Sequence, residues 1–107
     1  MRLADFVIKF LEEKKIDTVF TVSGGGSIFL CDALYKSKKL KYIACHHEQA
    51  VSYAAESYSR VKNKPGAAIV TTGPGGTNCA SGVACCWIDS VPTIFISGQV
   101  FLNQTIG

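Results

Sequence analysis

Three short segments of this 107-residue chain gather the residues best suited to chemistry: Ser23-Gly24-Gly25-Gly26, His46-His47-Glu48-Gln49 and Thr72-Gly73-Pro74-Gly75-Gly76-Thr77-Asn78. Each follows an apolar, β-branched run, where a strand should end and a helix begin. Glycines there permit positive φ and let a ligand approach the backbone. Ordinary turn chemistry also uses such glycines, so neither loop is diagnostic alone. Neither has the G-x-G-x-x-G spacing of a dinucleotide site, and no G-x-x-x-x-G-K-[ST] phosphate loop is present.

Glu48 carries two readings. As a first-turn acid it complements the dipole of the helix it opens. As a carboxyl group beside Ala50, Val51 and a glycine-rich rim, it could be desolvated and its pKa raised toward the range useful for proton transfer. Cys45, His46 and His47 raise the idea of a metal. Adjacent residues leaving a strand point in different directions, however, and no second ligand pair stands at zinc-like spacing, so no metal site is expected in this chain. Cys85-Cys86 lies within a predicted helix, where packing is the expectation.

The elements that must position these segments alternate. Leu3, Phe6, Val7, Phe10 and Leu11 follow helical spacing, predicting a helix to about Lys15 with these residues inward. Thr18–Val22 reads as a strand, and Ser27 is placed to cap a helix through Lys36. Lys41–Cys45 is the next strand. A helix from Glu48 to Lys62 should bury Val51, Ala54, Ala55, Tyr58 and Val61. Asn63-Lys64-Pro65-Gly66 is a turn, Ala67–Thr71 a strand, Thr77–Ser90 a helix and Pro92–Ser97 a fourth strand. Near-continuous apolar strands predict a sheet covered on both faces, and alternation with helices predicts parallel pairing through right-handed crossovers. The expected fold is a single three-layer α/β domain, a doubly wound parallel sheet, with ligands binding beyond the carboxyl ends of its strands.

Composition narrows the function classes. A 48% hydrophobic content argues against disorder. The net charge of +3 draws on Lys36, Lys38, Lys39 and Lys41, a solvated loop cluster too small for a nucleic-acid footprint. No apolar run reaches the roughly 20 residues of a membrane span, and the N-terminus lacks the order of a signal peptide. Five cysteines without a C-x-x-C pair read as reduced, packed thiols. The cytoplasm is the expected compartment, with neither nucleic acid nor membrane as partner.

Taken in order, several motifs resemble the N-terminal pyrimidine-binding domain of thiamine-diphosphate-dependent enzymes of the acetolactate synthase type. They are Val19-Phe20 leading to Gly24-Gly25, His47-Glu48-Gln49-Ala50, Ala54-Ala55-Glu56-Ser57-Tyr58-Ser59-Arg60, Lys64-Pro65-Gly66, Thr72 to Asn78, Asp89-Ser90-Val91-Pro92 and Ser97-Gly98-Gln99-Val100. The resemblance runs from about Leu3 to Val100. It implies that Glu48 hydrogen-bonds a ring nitrogen of the cofactor's aminopyrimidine and favours the imino form, which removes the thiazolium C2 proton before attack on a 2-keto acid. It implies that Pro74 and Asn78 lie against the pyrimidine and that Gly24 and Gly25 border the reaction cavity.

Four positions depart from the acetolactate synthase pattern. Ser23 stands for the usual Pro, Val22 for a frequent aromatic, Cys85 for an acidic or small residue, and Phe101 for the Pro after Gly-Gln-Val. In these the chain is similar instead to acetolactate-synthase-like proteins of surface-sugar biosynthesis clusters. The resemblance further implies a second domain that holds Mg2+ and the cofactor's diphosphate, supplied by another subunit of a homo-oligomer. Residues 1–107 resemble only the start of the pyrimidine domain, so an incomplete domain, inactive alone, is expected. The alternative is a non-catalytic short homologue that pairs with or regulates a full-length enzyme.

Overall fold

The structure is a computed structural model that describes residues 1–106. Helix α1 (Leu3–Glu13) leads to strand β1 (Thr18–Thr21), a 3-10 turn at Gly25–Ser27, and α2 (Ile28–Lys36). Strand β2 (Lys41–Ala44) is followed by α3 (Glu48–Lys62) and β3 (Gly66–Val70). The short α4 (Pro74–Thr77), α5 (Ala80–Ile88) and β4 (Thr93–Ser97) complete the regular core, before a 3-10 turn at Leu102–Gln104.

All strand pairings are parallel and the sheet order is β2-β1-β3-β4. From β1 the chain first steps to one side, to β2, and then returns past β1 to β3 and β4. The direction of winding therefore reverses between β1 and β3, the place where doubly wound sheets open a crevice for ligands.

Strand alternation divides the core. Val19, Ala67 and Ile69 point to the face covered by Ala4, Ile8 and Leu11 of α1 and Ala33 and Leu34 of α2. Phe20, Ala68 and Val70 point to the opposite face, under Val51 and Ala55 of α3. Each fully buried aliphatic side chain of this kind contributes about 1.5–3 kcal/mol. Small residues set the layer spacing. A Cβ on Gly66 would lie 2.3 Å from the Ala55 carbonyl oxygen, and one on Gly82 would lie 2.1 Å from Ser52 Oγ. Helix α3 therefore rests almost directly on β3 and on α5.

Five local expectations change. The central strands β1 and β3 are buried throughout, but Tyr42 and Ile43 of the edge strand β2 are about half exposed, at 51% and 48%. The helix layers cover the centre of the sheet and leave its margins open. Helix α1 turns a different side inward from the one its spacing predicts: Leu3, Phe6 and Phe10 are exposed, while Ala4, Ile8 and Leu11 are buried. Apolar residues occupy most of its circumference, so periodicity fixes the helix without fixing its rotation, and the smaller Ala4 is what fits against α2 and the sheet. On α3, Val61 is exposed and Ser52, Glu56 and Ser59 are buried in its place. Ser59 earns its position through hydrogen bonds, its Oγ donating to the Pro92 carbonyl and accepting from the Gly66 N–H, each at 2.7 Å.

Ser27, the fourth, does not cap α2 with its side chain. Its hydroxyl donates to the Gly24 carbonyl at 3.2 Å, closing the glycine turn instead. The predicted helix over Thr77–Ser90 is also split, into α4 and α5. Trp87, the chain's single tryptophan, stands on the outer side of α5 at 85% exposure, with Ile88 and Val83 beside it.

Candidate active site

Three loops leave the carboxyl ends of β1, β2 and β3, and Thr71 joins the first to the third. Thr71, immediately after β3, accepts a hydrogen bond on Oγ1 from the Gly26 N–H at 3.0 Å. A Cβ on Gly24 would lie 2.5 Å from Thr71 Cβ, and a Cβ on Gly75 would lie 2.6 Å from Thr71 Cγ2. Only glycine at both positions lets the β1 loop and the β3 loop close over this threonine. Gly98, after β4, completes the seam: its N–H donates to the Val70 carbonyl at 2.8 Å, and a Cβ there would lie 2.1 Å from the Gly26 carbonyl oxygen.

The β2 loop brings Glu48 to the same seam. His47 is the N-cap of α3, its Nδ1 accepting from the Gln49 N–H at 3.0 Å. Glu48 begins the helix half-buried, with Oε1 facing Gly75, whose Cβ would stand 3.8 Å from it. Its other oxygen, Oε2, accepts from Asn78 Nδ2 at 3.0 Å. The Cys79 thiol donates to the Glu48 carbonyl oxygen at 3.4 Å.

The β3 loop is built to present these groups. Gly73 turns the chain at φ 61° and ψ −121°, a conformation L side chains avoid, and Pro74 then takes the first position of α4, where its missing N–H costs nothing. The turn closes with Asn78 N–H donating to the Pro74 carbonyl at 2.8 Å. Pro74 stays exposed at the rim, while Gly25 faces open space, with nothing within 4 Å of where its Cβ would be. Gly25 lines one wall of a cavity of about 580 Å3, opposite Gln99 and Phe101.

The structure thus gathers Glu48, Asn78, Gly24 and the loop of Pro74 about Thr71, with Gly25 on the adjoining cavity. Electrostatically, Glu48 is the reverse of the desolvated acid described above. The Asn78 amide, foremost, holds its carboxyl below the usual glutamate range; its own backbone N–H and nearby His47 act in the same direction, and burial opposes them. A half-open helix start stabilises the charged form, and so does a donor on one oxygen. Burial pushes the Cys45 and Cys79 thiols up, which leaves neither an activated nucleophile. Among the described residues no group of three or more His, Cys, Asp or Glu side chains could hold a metal ion, and no helix is long and apolar enough to cross a membrane.

Sequence reasoning did not single out Thr71, and it named Thr72 and Gln99 only as members of motifs. Thr72 Oγ1 donates to Gln99 Oε1 at 2.9 Å and ties the β3 loop to the segment after β4. The paired threonines at a strand exit, facing two glycine loops, were the available signal. Of the four departures, Ser23 and Phe101 are exposed on the carboxyl side of the sheet, Val22 packs against the α3 core, and Cys85 is half-buried in α5.

Comparison with known proteins places the chain among relatives of one kind. Acetolactate synthase 3, chloroplastic, from Brassica napus and acetolactate synthase, chloroplastic, from Arabidopsis thaliana are each 43% identical over 97 residues, or 91% of this chain. Acetolactate synthase from Mycobacterium leprae is 40% identical over the same 91%. The chain spans only 14–16% of the length of these relatives. Residues 1–105 match the family described as thiamine pyrophosphate enzyme, N-terminal TPP binding domain, and the chain belongs to that family.

Proposed function

We propose that this chain is the part of an acetolactate-synthase-like enzyme that receives the aminopyrimidine of thiamine diphosphate, in decarboxylation and carboligation of 2-keto acids. The observation that carries this reading is the seating of Glu48: a carboxylate at the carboxyl edge of the sheet, held on one oxygen by Asn78 and bordered on the other by Gly75. The residues fit the group. A planar ring can reach the carboxylate because Glu48 is only half-buried at the start of its helix, and a basic ring nitrogen needs a carboxyl partner of this kind.

Glu48 then holds the proton shared with that nitrogen. Pro74 presents an apolar edge to the ring, and Gly24 and Gly25 leave room for the 2-keto acid beside it. When bound, thiamine diphosphate supplies the electron sink that the decarboxylation requires. In the same proposal, Mg2+ and the diphosphate belong to a second domain from another subunit of a homo-oligomer, which closes over the open side of Glu48 and raises its proton affinity. The five free thiols fit a reducing compartment such as the cytoplasm. A carboxylate held in this way by Asn78, in a chain that belongs to a cofactor-binding family, favours this over a non-catalytic regulatory homologue, which has no use for the carboxylate.

The test is Glu48→Gln in the enzyme that carries this chain. Turnover of pyruvate should fall by about 10²–10⁴-fold, the usual contribution of one positioned proton-transfer group. The far-UV spectrum and the denaturation midpoint should hardly move, since Glu48 is not a core residue. Near-normal turnover would remove Glu48 from the chemistry.

A further inference from the structure

The β3 loop grips Glu48 at two points with two consecutive residues. Asn78 holds the carboxylate through Oε2 at 3.0 Å, and Cys79 holds the backbone carbonyl through its thiol at 3.4 Å. Glutamate at a helix start otherwise has three free side-chain torsions and samples several rotamers. Asn78 itself has little freedom. Its backbone is helical, at φ −66° and ψ −16°, and its N–H is fixed to the Pro74 carbonyl. The α4 turn therefore delivers the side-chain amide at a set position. Oε1 accepts no side-chain hydrogen bond among the described residues and is the oxygen beside Gly75.

We propose that Asn78 is a positioning residue that acts through Glu48: it occupies Oε2, so that Oε1 alone is offered to an incoming aminopyrimidine nitrogen. This rests on the cofactor reading above for its ligand, and on the structure alone for the grip. Asn78 serves here as an orienting donor to the carboxylate. It complements a carboxylate but leaves a protonated carboxyl group poorly matched when the proton sits on Oε2. The grip therefore directs a proton to Oε1, the oxygen that takes no side-chain hydrogen bond among the described residues. The other titratable groups near the carboxylate are His47, on the same loop, and the Cys79 thiol from the β3 loop.

Titration of the Glu48 side-chain carboxyl carbon by NMR tests the grip in the full chain, without cofactor. In the wild type, Glu48 should titrate below ordinary glutamate, and the Asn78 side-chain amide protons should shift along the same titration curve. Asn78→Leu, which keeps the shape and removes the donor, should move the Glu48 midpoint upward. Asn78→Asp should move it further, because a second carboxylate repels the first. An asparagine with no hold on the carboxylate would not produce that order. Asn78 amide protons indifferent to Glu48 protonation, or one Glu48 midpoint shared by folded wild type and Asn78→Leu, would overturn the inference. The wild-type measurement decides the matter even where the variants fail to fold. Failure here leaves the cofactor reading intact, whereas active Glu48→Gln enzyme would sink that reading and leave the grip standing.

Discussion

The two ends of the sheet are held together by different means. At the carboxyl end, loops meet backbone to side chain and backbone to backbone: Gly24 and Gly75 against Thr71, Gly98 against Gly26. At the amino end, long charged side chains do the joining. Asp17 takes hydrogen bonds from Tyr58 and Lys64 as well as from Thr18, and Arg60 bridges Glu56 and Asp89. Lysines collect there because helices α1, α2 and α3 all finish at that end, where cations complement the helix dipoles. Gly66 is the exception, the one place near the amino end where α3 presses on the chain without room for a Cβ. The contrast teaches that the end bearing the candidate site is specified by absence of side-chain volume, and the other by charge that water can replace.

Substitution at the carboxyl end should therefore be the most disruptive. Gly98→Ala places a methyl group 2.1 Å from a backbone oxygen that no rotamer change can move aside. A loss of about 3 kcal/mol is expected in chemical denaturation, at the upper end for overpacking. A loss below about 1 kcal/mol would show that the seam is soft and the contrast wrong. Thr71→Val preserves the shape but strands the Gly26 N–H, and should cost about 1–2 kcal/mol by the same measurement.

The smallest effect belongs to the amino end. Asp17 is half exposed, and Asp17→Asn should cost less than about 1 kcal/mol at neutral pH. Lys64 foremost, then Tyr58, holds the Asp17 carboxyl well below the usual aspartate range. With the folded value depressed, its contribution is complete above the unfolded aspartate value of about 3.9 and fades as pH falls through the folded one. Denaturation midpoints compared at neutral and acid pH should show a shallower loss in Asp17→Asn than in the wild type. Identical pH dependence in the two proteins would show that the ion pair carries no stability.

Much of this was legible in the residues. The alternation of helix and strand, and the position of Glu48, Pro74, Asn78, Gly24 and Gly25 on loops at one edge of the sheet, follow from local patterns and ordered motifs. What escaped is what depends on distant neighbours. Thr18-Val19-Phe20-Thr21 and Lys41-Tyr42-Ile43-Ala44 both read as short strands, yet one is central and buried and the other lies at the margin, because strand order is a property of the whole sheet. Thr71 looked like a strand end because two of its glycine partners, Gly24 and Gly26, lie more than forty residues earlier in the chain. The state of Glu48 was misjudged for the same reason: its environment is set by Asn78, thirty positions away, as well as by the apolar residues beside it.

The exposed indole of Trp87 gives the chain an optical property. As the single tryptophan, and an exposed one, it should emit at the long-wavelength end when the indole is excited selectively over the four tyrosines. Any surface that settles on the outer side of α5 will strip water from that ring and move the emission toward the blue. A ligand confined to the Glu48 seam leaves the ring in water. The chain thus reports the covering of one flank in its own fluorescence, with no added dye.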